Sequence, residues 1–237
     1  MSRITIIEAG LVSERTRARY GSFPQMFERM VRAADASVHF ETISIVNGEP
    51  LPNPDILQAI LITGSPAGVY DKLDWIAPLE DFVRSAYASQ IPMVGVCFGH
   101  QLMAQALGGI VQKSDKGWAS DGMSMTSHPA TASSRESASP LPPRIRIRSS
   151  RRRQEREPSL FSAFTEHAGL LYGNGAALSV QPHPEFDTGF ADYCCDLRAG
   201  HAPEAVVAQA KASLAEPVDN ARLGSAIARF LTRGTKV

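Results

Sequence analysis

Val94-Gly95-Val96-Cys97-Phe98-Gly99-His100-Gln101 is the stretch on which the reading of this chain turns. An apolar run over residues 91–96 ends at a cysteine, and helix-forming residues follow through 107. Glycines at 95 and 99 flank Cys97 at a spacing of two. This is the layout of a nucleophile elbow, a tight strand-to-helix turn that holds one reactive side chain at the edge of a sheet. The flanking residues must be small because the two backbones crowd there. A helix N-terminus behind Cys97 favours the thiolate, which is the nucleophilic form. The amides that follow, Phe98 first, have no partner inside their own helix and can bind an oxyanion.

Working outward, residues 4–8 form a β-branched run, a first strand. Residues 10–21 are polar and basic and read as a loop. Phe23, Met26, Phe27, Met30 and Val31 recur at helical spacing. Residues 38–46 alternate as a second strand, and 59–63 are continuously apolar, as in a central parallel strand. Gly64-Ser65-Pro66 ends that strand. A helix over 75–88 turns Leu79, Phe82, Val83 and Ala86 inward. Gly108-Gly109 closes the helix after Cys97, and residues 110–112 begin another strand. Gly173-Asn174-Gly175 marks a hairpin between 170–172 and 177–180. From Ala202 the chain is Ala-rich and helical, in two pieces separated by Pro217. The rhythm is that of a doubly wound α/β sheet, whose ligands sit at the carboxyl ends of the strands. Gly64, Ser65 and Cys97 all lie there.

A thiolate attacking an amide needs a group to protonate the leaving nitrogen. The candidate is His183, in Ser179-Val180-Gln181-Pro182-His183-Pro184-Glu185-Phe186. It follows an apolar strand directly and is bracketed by prolines. Glu185, two residues on, can hold the imidazole in one tautomer. Cys97, His183 and Glu185 thus make a triad in chain order.

Composition narrows the class. The 237 residues carry a net charge of zero, which gives no reason to expect nucleic acid or a membrane surface as partner. No apolar run is long enough to span a bilayer, and the first residues do not resemble a signal peptide. Three cysteines, two of them adjacent (Cys194 and Cys195), make a poor disulfide framework. A reducing, cytoplasmic setting is expected, with free thiols. Cys194-Cys195 reads as incidental, His100 as packing, and His128, His167 and His201 as surface residues. No metal or cofactor is called for. No phosphate-binding glycine loop occurs, so a nucleotide-dependent step would belong to a separate protein.

The two motifs together, Gly-Val-Cys-Phe-Gly-His-Gln at 95–101 and His-Pro-Glu at 183–185, resemble the class I glutamine amidotransferases. The likeness is strongest to stand-alone relatives of the glutaminase domain of GMP synthase, over roughly residues 4–112 and 161–190. It implies a flavodoxin-like, mostly parallel sheet with helices on both faces, spanning residues 1–237 as one domain. It also implies hydrolysis of the L-glutamine side-chain amide through a γ-glutamyl thioester, with ammonia passed to a synthetase partner. By the same resemblance Gly64, with Ser65 beside it, matches the oxyanion loop. Phe98 supplies the second amide, and Gln101 helps hold the substrate. A hydrolase of γ-glutamyl conjugates with the same triad is the first alternative. A catalytically impaired binding protein of the same fold is the second.

One stretch departs from the pattern. Residues 119–159 lose periodicity and become rich in Arg, Ser and Pro, which reads as a basic, solvated loop or disorder. The Ser-His-x-Asp of the family, which helps bind the amino-acid end of the substrate, is absent. Pro143-Arg144-Ile145-Arg146-Ile147-Arg148-Ser149-Ser150 stands in its place. Allowed codons for these residues, CCT CGC ATC CGG ATC AGG TCG TCG, read Ser-His-Pro-Asp-Gln-Val-Val when started one base before Arg144. We expect the coding DNA to carry codons of this kind, with compensating frame shifts near residues 119 and 159. Codons that give no Ser-His-x-Asp in the alternate frame would sink the idea.

Overall fold

The computed structural model describes residues 2–113, 145–149, 156–160, 168–216 and 219–233. Nine strands are defined among these residues: β1 (Arg3–Glu8), β2 (His39–Ser44), β3 (Ile60–Ile62), β4 (Met93–Val96), β5 (Gly109–Lys113), β6 (Ile145–Ser149), β7 (Arg156–Leu160), β8 (Gly169–Tyr172) and β9 (Ala177–Val180). Seven of them form one sheet in the order β2-β1-β3-β4-β9-β8-β7. β2, β1, β3, β4 and β9 are mutually parallel, and β8 runs antiparallel to both its neighbours. The chain moves outward from β1 to β2, then crosses back to β3 and β4. The order therefore reverses beside β1, the switch point of a flavodoxin-like sheet.

Helices cover both faces: α1 (Glu14–Tyr20), α2 (Phe23–Ala34), α3 (Ile76–Ala88), α4 (Phe98–Ala106), α5 (Thr188–Arg198), α6 (Glu204–Ser213) and α7 (Asn220–Thr232). On one face Ile7, Ile60, Ile62 and Met93 pack against Leu79, Phe82, Val83 and Ala86 of α3 and Leu102 and Met103 of α4. On the other, Ile4, Ile6, Leu61, Val94 and Val96 meet Phe27 and Val31 of α2 and Ile227 and Leu231 of α7. The inward sets expected for α2 and α3 are these, apart from Phe23 and Met30, which are half-buried. A strand that feeds both cores cannot alternate, which is why 59–63 and 91–96 read as unbroken apolar runs.

Three expectations need correction. Residues 10–21 are not all loop. Ser13 caps α1 by accepting from the Thr16 amide, with Glu14 in the first turn and Arg17 and Arg19 in the last, as a helix dipole favours. The helix escapes the periodicity test because Thr16 is its one buried residue. Part of 119–159 is also ordered as strand. β6 pairs antiparallel with β5 in a separate two-stranded sheet, and β7 forms the edge of the main sheet. The alternation Arg144-Ile145-Arg146-Ile147-Arg148 is a period-two strand pattern inside the basic run. Pro158 is compatible with an edge strand, where no ladder donor is demanded of it, and the register shifts between Pro158 and Leu160. Third, the strand that begins at 109 joins β6 and not the main sheet. The rest of 119–159, His128, His167 and Pro217 lie outside the described residues.

The hairpin of β8 and β9 and the helices after Ala202 form as expected. Among the described residues no helix is long and apolar enough to cross a membrane.

Gly95 carries the packing of β4 against α4. A Cβ there would lie 2.5 Å from the carbonyl carbon and oxygen of Gly99 and 2.6 Å from the sulfur of Met103. Backbone cannot yield as a side chain can. Gly95→Ala should therefore cost about 1–3 kcal/mol, seen as a fall of roughly 3–10 °C in the thermal midpoint. An unchanged melt would mean that the elbow is looser than its geometry.

Candidate active site

β4 delivers Cys97 to the carboxyl edge of the sheet, and α4 starts at the next residue. The turn is strained: Cys97 has φ 53° and ψ −101°, a left-handed conformation that a side chain rarely takes. Its amide donates to Val180 O at 2.9 Å, tying the elbow to the end of β9. The residue is buried, 4% exposed. Gly99 fits beneath the turn because a Cβ would come within 2.6 Å of Ile62 O on β3. The first amides of α4, Phe98 included, have no carbonyl to meet within their helix and lie at its positive end.

β9 ends at Val180, and three residues later His183 stands beside Cys97. Its Nδ1 lies 2.7 Å from Glu185 Oε1. The imidazole also lies against Cys97, whose charge acts on it. With Nδ1 engaged by Glu185, Nε2 is the nitrogen left for the sulfur. The Glu185 side chain is fully buried, and its Oε2 has no hydrogen-bond partner among the described residues. Burial alone would lower the His183 pKa. The charges of Glu185 and Cys97, with hydrogen bonds to both, outweigh it and raise the pKa to about 10. The ring therefore carries its second proton across the neutral range.

Gly64 closes the far side. A Cβ there would sit 2.9 Å from His183 Cε1 and 3.7 Å from Cys97 Cβ, so any larger residue would push the imidazole off the thiol. Ser65 Oγ accepts from the Ala67 amide at 3.1 Å and folds the turn after β3. Gln101 is buried on α4, and its Nε2 donates to Gln181 Oε1 at 3.1 Å.

Cys97, His183, Glu185, Gly64 and the start of α4 at Phe98 thus converge on one point. Ser65 lies next to Gly64 in the chain, and Gln101 reaches the segment between β9 and His183. His100 packs beneath the elbow, its Nδ1 2.7 Å from Ser179 Oγ, which in turn lies 3.1 Å from the Tyr172 hydroxyl. Cys194 is pushed up to about 12, by burial first and then by the charges of Cys195 and Glu185, so it is a neutral thiol. His201 is exposed. Among the described residues no cluster of His, Cys, Asp and Glu could hold a metal.

Two neighbours went unread in the sequence. Gln181 pairs with Gln101, and Phe186 stacks on His183 with ring centroids 4.1 Å apart and an interplanar angle of 7°. The signal for Phe186 was present, as an aromatic directly after His-Pro-Glu. Its meaning depends on a stacking direction that spacing does not reveal.

Comparison with known proteins bears on the family and the fold. The family Glutamine amidotransferase class-I matches residues 19–193, well over half of the chain. The chain belongs to that family. Among curated relatives, γ-glutamyl peptidase 4 of Arabidopsis thaliana is 30% identical over 107 residues, 44% of this chain and 42% of that protein. The glutamine-hydrolysing GMP synthase of Acetivibrio thermocellus is 36% identical over 99 residues, 40% of this chain and 17% of that one. The matched segments thus span less than half the length of either relative. The fold of this amidotransferase-family chain is shared by a glutamine amido transferase from Methylobacillus flagellatus, with a TM-score of 0.72 at 17% identity, covering 100% of this chain and 96% of that one.

Replacing Glu185 by Gln removes one of the charges that hold the His183 proton. The imidazole pKa should fall from about 10 by roughly 1–3 units, read by NMR titration of the ring. The raised pKa also links to stability. The contribution of His183 is present in full below its ordinary value of 6.5 and is lost as pH rises to about 10. The Glu185→Gln melt should depend less on pH across that window. A pKa that does not move would assign the shift to Cys97 alone.

Proposed function

We propose that the chain is a cysteine-nucleophile amidohydrolase that releases ammonia from the side-chain amide of L-glutamine. The observation that carries this reading is the elbow cysteine set beside an imidazole that is itself paired with a buried carboxylate.

In this reading the Cys97 thiolate attacks the amide carbonyl carbon. The carbonyl oxygen becomes an oxyanion that accepts from the Phe98 amide and from the backbone at Gly64, donors already in place before reaction. His183 gives its proton to the amide nitrogen, the C–N bond breaks and ammonia leaves. A γ-glutamyl thioester remains on Cys97. Water then attacks the thioester, and neutral His183 takes its proton. Glutamate leaves, and the thiolate–imidazolium pair is restored. Glu185 keeps the ring in one orientation and stabilises its charge in both halves. Ser65 and Gln101 are assigned to holding the substrate. The chain acts as one domain in the cytoplasm, needs no cofactor for this chemistry, and hands ammonia to a synthetase partner.

A second reading is favoured by the identity to γ-glutamyl peptidase 4: the same chemistry on a γ-glutamyl conjugate, with an amine other than ammonia as leaving group. The missing Ser-His-x-Asp instead favours a protein with weakened glutamine binding. Purified protein incubated with glutamine, and separately with γ-glutamyl dipeptides, separates the three. We expect ammonia from glutamine, with Cys97→Ala reducing release by roughly a thousandfold or more. Product from dipeptides alone would establish the conjugate hydrolase. Product from neither would make the chain a binding protein of this fold.

A further inference from the structure

The imidazole of His183 is gripped by its face as well as by its edges. Phe186 covers one side of the ring in a near-parallel stack. Phe186 is itself held by the edge of Phe190, 4.5 Å away at 87°, and by Phe23, 6.2 Å away at 16°. Asn220 at the start of α7 donates to Phe186 O at 3.0 Å, and Phe190 is anchored in turn by Tyr20 at 5.1 Å. Phe23 from α2 and Phe190 from α5 therefore meet one phenyl ring, while α1 and α7 brace it through Phe190 and the Phe186 carbonyl. That effort has no obvious return in core packing, because Phe186 is only half-buried.

A stack leaves both nitrogen edges of the imidazole uncovered, whereas an edge-on aromatic would compete with Glu185 or Cys97. It also presents a negative π face to a cation whose side chain is only 13% exposed to water. We propose that Phe186 is a positioning residue, holding the charged His183 ring by its face so that its two nitrogens stay aimed at Cys97 and Glu185. This rests on the reading of those three residues as the reacting set. The ionisable groups around the ring are Cys97 at the head of α4, Glu185 in the same loop and, from α5, the neutral thiol of Cys194, which feels Glu185.

The test uses the full chain and no substrate. Alkylation of Cys97 by iodoacetamide at pH 7, located by mass spectrometry, reports the thiolate–imidazolium pair directly. Phe186→Leu, which fills much of the space without a π face, should slow alkylation about fivefold. The His183 ring should then lose its proton at a lower pH by NMR. Phe186→Tyr should restore both to within about twofold of wild type. Phe190→Leu loosens the same cluster without facing His183. It should lower the thermal midpoint and slow alkylation by less than about twofold, well short of the effect of Phe186→Leu. Should Phe186→Leu prove too unstable to purify, Phe186→Met takes its place. Alkylation and titration unchanged in the Phe186 variant, or slowed equally by Phe190→Leu, would overturn the proposal. A wild type that alkylates quickly yet releases no ammonia from glutamine would sink the glutaminase reading and leave this one standing.

Discussion

The strained turn at Cys97 is the constraint on which the rest of the molecule depends. A non-glycine residue in the left-handed region costs about 1–3 kcal/mol and persists only where its surroundings over-determine it. Here they do. β4 lies between β3 and β9 in the middle of the sheet, the Cys97 amide is committed to Val180, and Gly95 and Gly99 let strand and helix meet at backbone distance. The pairing of β4 with β9 also sets Cys97 beside the end of β9, so that His183 needs only three further residues to reach it. One strand adjacency therefore supports both the strain and the convergence.

Electrostatics at the site follow from that placement. Burying an imidazolium is unfavourable alone, and two negative neighbours reverse the balance. Glu185 is the more costly partner, because its carboxylate is fully buried and one oxygen has no hydrogen-bond donor among the described residues. Its other oxygen lies 2.7 Å from the ring, so its charge acts on the imidazole at contact distance. Within the proposed chemistry this favours a histidine that starts protonated and donates first.

How much of this could be read from the chain depended on the range of the signal. The elbow was legible because strand, Cys97, flanking glycines and helix are contiguous, and each makes the same demand on the backbone. The second half of the site was legible because the prolines around His183 leave Glu185 few other places to go. The short α1 was not, since its stability comes from a Ser13 cap and a Thr16–Tyr193 hydroxyl contact at 3.1 Å across the chain. β6 was masked by composition: arginines dominated the reading, while the alternation beneath them specified strand. β7 carries no such alternation. Phe186 depended on tertiary direction, which no periodicity encodes.

The position of the anomalous stretch bears on what kind of impairment it can cause. Cys97, Gly64 and His183 are carried by β4, β3 and β9, the inner strands of the sheet, whose mutual pairing makes no use of residues 119–159. The described parts of that stretch supply β6, in the small second sheet, and β7, at the outer edge. A change there acts on the periphery of the sheet, away from the strands that carry Cys97, Gly64 and His183. The placing of Cys97 beside His183 depends on the inner strands. Within the proposed function, part of the hold on glutamine would come from elements outside them. In that reading, reactivity of Cys97 and affinity for glutamine need not fail together.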